Sequence, residues 1–263
     1  MITPYLVPLS DGLDSISVDE FFPPAILFEG TPFELNRVML VRLISVTVVS
    51  IILLLASSKA KVIPSRAQVL VEMVFEFVRK NIVCEIIQSK KIADTVTPLI
   101  TFIFLGIFSM NITGIIPGLN IAGSSVVGIP LVYAIVSYVA FIYIGIRVNG
   151  VGKFFKSQLI LPDIPKILYP LFILIEFFST FIVRPFTLVI RLLANMIAGH
   201  LLLVLFFIAT NIFIFSLSIY TALAPITMAL SIAIYAFEIF VAALQAYIFA
   251  LLSAVYVQLS VEH

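Results

Sequence analysis

An all-α, polytopic membrane protein is the fold class this sequence predicts, with about five membrane-inserted helices and one interfacial amphipathic helix. Three observations predict it. Of 263 residues, 62% are hydrophobic and only 11% charged, with a mean hydropathy of +1.23. A soluble domain carries about 25% charged residues. No charged residue occurs from Thr95 to Ile146, and only Glu238 occurs between Leu201 and Val261. Apolar runs of this length are membrane-span candidates.

The same counts exclude other classes. A net charge of +1 predicts no nucleic-acid partner. Cys84 is the single cysteine, so no disulfide framework or paired-thiol metal site is expected. No metal or cofactor is called for. Met1–Ser10 lacks the basic stretch of a cleavable signal, and acidic rather than apolar residues follow it.

Taken in order, residues 1–36 hold Asp11, Asp14, Asp19, Glu20, Glu29 and Glu34 and no Lys or Arg. They read as an extended external segment. The first span is expected at Val38–Ala56. Residues 57–95 carry Lys59, Lys61, Arg66, Arg79, Lys80, Lys90 and Lys91. Within them Ser65–Ile87 reads as an amphipathic helix. Gln68, Glu72, Glu76 and Lys80 recur every four residues on one face, with Leu70, Met73, Val74 and Phe77 on another. Such a helix lies in the membrane interface.

The second span is expected at Thr97–Ile116. Pro117, Gly118, Asn120, Gly123 and Pro130 separate it from a third at Leu131–Ile146. Residues 147–166 then carry Arg147, Lys153, Lys156 and Lys166. By the positive-inside rule the two basic loops are cytoplasmic, the uncharged 117–128 loop is external, and the N-terminus is outside. Arg37 and Arg42 then fall at the outer end of the first span, where both are expected to snorkel. From 167 to 261 only Glu176, Arg184, Arg191, His200 and Glu238 are charged or histidine. The break is Ser216–Pro225. Both arms exceed the roughly 20 residues a span needs, which predicts a strongly tilted helical hairpin ending in the cytoplasm. The whole chain, 1–263, reads as one membrane domain without internal repeats.

Charges inside this hairpin are costly, about 2.5–3.5 kcal/mol each at mid-bilayer on insertion scales. Arg191 has no acid within one helical turn, and its guanidinium stays protonated under almost any condition. Its partner is either an acid elsewhere in the chain, Glu176 among them, or a group on another chain. Arg184, just before Pro185, reads either as an interfacial anchor or as a second functional cation. His200 titrates near neutral pH. A lone buried His is commonly structural, but the hairpin register weighs against that here. An apex near residue 218 or 219 brings His200 level with Glu238 and Arg191 level with Gln245. The spacing therefore predicts a His–carboxylate proton site at one depth and a cation–amide contact at another. Asn195 shares a face with Arg191, and Glu238 with Gln245. Ala194, Ala198 and Gly199 on the first arm, and Ala242, Ala243 and Ala246 on the second, allow close helix approach.

The run Arg184-Pro-Phe-Thr-Leu-Val-Ile-Arg191-Leu-Leu-Ala-Asn195-Met-Ile-Ala-Gly-His200 resembles the signature of subunit a of F-type ATP synthases. The run Glu238-Ile-Phe-Val-Ala-Ala-Leu-Gln245-Ala-Tyr-Ile-Phe resembles the last-helix motif of that family. Met110-Asn111-Ile-Thr-Gly-Ile-Ile-Pro117 fits its second span, and Phe22–Arg42 and Pro64–Ile87 look like the bacterial branch. The resemblance implies a bacterial plasma-membrane stator subunit, itself non-catalytic, packed against a rotating ring of c subunits and joined to the b subunits of the peripheral stalk. It implies that Arg191 faces the ring, keeps each passing carboxylate ionised, and blocks a proton short circuit between two offset half-channels. Gln245 matches the amide near that arginine. His200 and Glu238 match a pair that some members carry with the two types exchanged. Glu176 and Asn195 match polar positions in or near the half-channels. This chain departs in carrying Gly114 where some bacterial members have an acid, and in a Glu176-to-Pro185 spacing one residue longer than in many members.

The main alternative is a secondary transporter or stand-alone channel, which predicts symmetry-related repeats. An intramembrane hydrolase or metalloenzyme needs a nucleophile–base set or a His cluster, and the sequence has neither. A purely structural subunit is the third. Protons fit His200 and Glu238, while sodium selectivity would be written mainly in the ring subunit.

Overall fold

The computed structural model describes residues 25–27, 35–58, 66–116, 123–124, 126–159, 169–215 and 219–261. The acids of 1–36, the lysines at 59, 61 and 166, and Pro117 to Asn120 lie outside the described residues. Two short strands, β1 (Ala25–Leu27) and β2 (Leu35–Asn36), pair antiparallel. Nearly everything else described is helical: α1 (Arg37–Ser58), α2 (Arg66–Val78), α3 (Cys84–Ile86), α4 (Lys90–Ile112), α5 (Gly128–Asn149), α6 (Val151–Leu159), α7 (Tyr169–Phe178), α8 (Arg184–Phe215) and α9 (Ala224–Val261). Arg79–Val83 joins α2 to α3 as a π turn, and Ser179–Val183 joins α7 to α8 the same way. Five of the described helical runs are long and apolar enough to cross a membrane.

Local chemistry starts and orients these helices. The Asn36 side-chain oxygen accepts from the Met39 amide at 3.0 Å, capping α1. In α2 the polar face ties itself together, Gln68 to Glu72 at 2.7 Å and Lys80 to Glu76 at 2.6 Å. The hydrogen bond from Lys80, and then its charge, hold the Glu76 carboxyl below the usual carboxylate range. Leu70, Met73 and Phe77 face outward, as an interfacial helix requires. Val78, Ile82 and Val83 turn inward against Ala250, Ala254 and Val257 of α9. The second span begins seven residues before its expected start, because Lys90, Lys91 and Asp94 continue the helix beyond the apolar stretch. Arg79 bonds Asp94 at 2.6 Å and anchors that extension to the π turn.

The last helix, α9, is the central pillar, packed on α4, α5 and α8, with α1 peripheral against α4. Small residues make this possible. Ala242, Ala246, Ala250 and Ala254, four apart on one face, are all fully buried. The α4–α5 crossing is equally close: a Cβ on Gly106 would sit 2.0 Å from the Tyr133 hydroxyl oxygen.

Hydrogen bonds sort the connections to two ends. At one end Gln258 accepts from the Gln88 amide at 3.4 Å, Asn149 bonds the Ser260 carbonyl, and Gln158 bonds the Leu259 carbonyl, each at 3.0 Å. At the other, Tyr235 donates to the Ile115 carbonyl at 2.9 Å. Arg42 is held there too. It folds inward, donating to the Gly123 carbonyl at 2.8 Å and the Val126 carbonyl at 3.4 Å. Arg37 is exposed.

Candidate functional site

The hairpin closes inside the segment where the sequence breaks. α8 ends at Phe215, and a 3-10 turn at Ile219–Leu223 leads into α9. Thr210 and Ser231 hydroxyls lie 3.4 Å apart near this apex. Further down, Gly199 abuts Glu238, so closely that a Cβ there would be 3.1 Å from Oε1. Asn195 donates from Nδ2 to Gln245 Oε1 at 2.7 Å.

The register thus sets Gly199, the sequence neighbour of His200, against Glu238. It corrects the expected Arg191–Gln245 contact. The amide oxygen of Gln245 is taken by Asn195, one turn nearer the apex than Arg191 and on the same face.

Burial divides α8 into two faces. Leu188, Val189, Leu192 and Met196 are buried. Thr187, Arg191, Ala194, Asn195 and Ala198 are exposed. Arg191 makes no hydrogen bond or ion pair with any described residue. It therefore stands on an open stripe of small and uncharged polar side chains.

Across the hairpin, Glu238 is 7% exposed and Gln245 2%. Glu238 Oε2 and Gln245 Nε2 are buried without a partner. Buried polar groups are nearly always hydrogen-bonded, so these two atoms call for water or a transient partner. Between them Ala242 accepts from Asn111 Nδ2 at 3.4 Å, and Asn111 Oδ1 accepts from Ser124 at 2.5 Å. Polar groups thus run from the 123–126 loop to the level of Glu238. Neither Asn111 nor Ser124 was singled out by charge, though Asn111 lies in the Met110–Pro117 motif.

The opposite end holds a second polar group. Glu176 accepts from Arg184 Nη2 at 3.5 Å and from Thr180 Oγ1 at 3.2 Å. The acid considered as a partner for Arg191 is therefore paired with Arg184. The Arg184 guanidinium also lies over the Tyr256 ring, 5.8 Å from its centroid. Sequence reasoning did not find Tyr256, since an aromatic residue in an apolar helix carries no distinguishing pattern.

Along the hairpin the order is therefore Glu238 with Gly199, then Gln245 with Asn195, then Tyr256 with Arg184 and Glu176. Glu238 and Gln245 are separated by about 10 Å of helix rise. No group of three or more His, Cys, Asp or Glu side chains that could hold a metal occurs among the described residues.

A family model described as ATP synthase A chain matches residues 39–258. An ATP synthase subunit a of Rhodococcus erythropolis is 44% identical over 206 residues, 78% of this chain and 74% of that one. One from Frankia alni is 39% identical over 173 residues, 65% of this chain and 59% of its own length. One from Streptomyces lividans is 37% identical over 175 residues, covering 66% and 62%.

Proposed function

The chain belongs to the ATP synthase A chain family, as a non-catalytic membrane subunit of that complex, and on that premise we propose that it is the stator through which protons reach and leave a rotating ring of c subunits. The observation that carries the proposal is Arg191. It is a permanent cation on an exposed stripe of a membrane helix, with no ion pair to any acid among the described residues. A charge so placed is costly unless something outside the chain pairs with it. A ring of membrane carboxylates passing along the Thr187–Ala198 stripe supplies that partner.

In this reading Arg191 favours the ionised form of each arriving carboxylate by proximity of opposite charge. Arg suits the task because it does not release its proton. The polar groups on either side make two offset paths. His200 and Glu238, with Asn111 and Ser124 behind them, connect the ring to the 117–128 side. Glu176 connects it to the basic-loop side. Asn195 and Gln245 lie between, and Arg191 prevents protons from crossing directly. The N-terminus is outside, the two basic loops and the C-terminus are cytoplasmic, the hairpin is strongly tilted in a bacterial plasma membrane, and the b subunits of the peripheral stalk hold the chain against rotation.

The test is Arg191→Ala in the assembled complex in inverted membrane vesicles. ATP-driven proton pumping should fall to background while the complex still assembles. Ring-dependent pumping that survives the substitution removes Arg191 from its role.

A further inference from the structure

Between α7 and α8 the chain makes a π turn, and three features of the sequence meet there. The Arg184 amide donates to the Ser179 carbonyl five residues back, which is the π bond. Pro185 follows and has no N–H to give. Its ring would also press on the carbonyl of Phe181 in a regular α-helix, and a widened turn relieves that. Third, Glu176 and Arg184 are eight residues apart. In an uninterrupted α-helix eight residues overshoot two turns by about 80°. The extra residue of the π turn absorbs the overshoot, and the two side chains meet at 3.5 Å. Thr180, fully buried within the turn, bonds the same carboxylate oxygen.

The turn is held from outside as well. Phe181 stacks on Phe177 at 5.1 Å and on Phe155 of α6 at 6.0 Å, and meets Tyr138 of α5 edge-on at 6.1 Å. Next to this packed turn, Arg184 Nη1 and the Tyr138 hydroxyl are buried without partners. Around the turn, Arg184 bonds Glu176 and lies over the Tyr256 ring of α9, Tyr138 of α5 meets Phe181, and α6, packed against α7, carries Lys153 and Lys156. Both lysines are exposed. Asp163 and Lys166 lie outside the described residues.

We infer that the π turn is a register device that brings Glu176 onto the Arg184 face, and that Arg184 is a positioning residue acting on proton transfer through Glu176. This rests on the proposed function, because it assumes that Glu176 serves the proton path. Arg184 fixes which way the carboxylate points and where its negative charge sits.

The experiment is a double-substitution cycle on passive proton conduction and ATP-driven pumping in vesicles carrying the whole complex. Arg184→Met should slow conduction about tenfold, the effect of losing one coupled pair. Arg184→Lys should restore most of it. In a Glu176→Gln background, Arg184→Met should change nothing further. Deleting Ile182 removes the extra residue without altering any charge and should reproduce the Arg184→Met rate. Additive effects of Arg184→Met and Glu176→Gln overturn the inference, as does a wild-type rate in the assembled Ile182 deletion. If Arg184→Met fails to assemble, the Arg184→Lys and Ile182-deletion arms decide alone. Failure of the unaltered chain to pump at all would instead refute the proposed function.

Discussion

At the scale of single residues, Glu238 is the most constrained acid in the hairpin. It is buried, one of its oxygens lacks a partner, and the other is pressed against Gly199. A glycine here is a packing requirement, since any Cβ would lie 3.1 Å from that oxygen. Gly199→Ala should therefore displace the carboxylate by a few tenths of an ångström while leaving its chemistry intact. Small displacements of a proton-transferring group are expensive in rate, and pumping should fall roughly tenfold in an assembled complex. Unchanged pumping in Gly199→Ala would mean that Glu238 takes no part in the path. The sequence made Glu238 conspicuous by charge alone. It also gave the hairpin register to within a turn, because the polar residues recur with helical spacing on both arms. It could not choose Asn195 over Arg191 as the partner of Gln245. Both share one face of α8, a single turn apart, and hydropathy does not distinguish them.

At the scale of elements, charge-free runs and charged loops made all five long helices legible. What they could not reveal was where a helix departs from regularity. Neither π turn has a hydropathy signature, though Pro185 and the long Glu176-to-Pro185 spacing mark one of them in retrospect. Close helix crossings were hidden for a similar reason, since a small residue at a contact looks like any other small residue. Gly106 is the clearest case. Its Cα hydrogen takes the only space left beside Tyr133, and the overlap a methyl group would make is far below contact distance. Gly106→Ala should force α4 and α5 apart or drive Tyr133 from its position. Overpacking of this kind destabilises by about 1–3 kcal/mol. Thermal denaturation of the detergent-solubilised protein should show a lowered midpoint, and an unchanged one would mean that the crossing is loose.

At the scale of the whole molecule, the hydrogen bonds group the α3–α4 connection, the α5–α6 junction and the end of α9 together, opposite the 123–126 loop. That grouping is independent of charge, yet it collects the two basic loops on the same side. Anionic lipids of the cytoplasmic leaflet attract Lys and Arg, which makes this side the inner one in the proposed orientation. Cys84 offers a direct test because it is the single cysteine, is exposed, and lies between Lys80 and Lys90. No cysteine-free background has to be engineered, and Cys84→Ser serves as the blank. A membrane-impermeant maleimide should label the chain in inverted vesicles and leave it unlabelled in right-side-out vesicles until they are permeabilised. The reverse pattern would invert the whole arrangement. Glu176 and Arg184 would then face the outside and His200 with Glu238 the cytoplasm. The two paths would exchange their roles, while Arg191, midway between them, would keep its own.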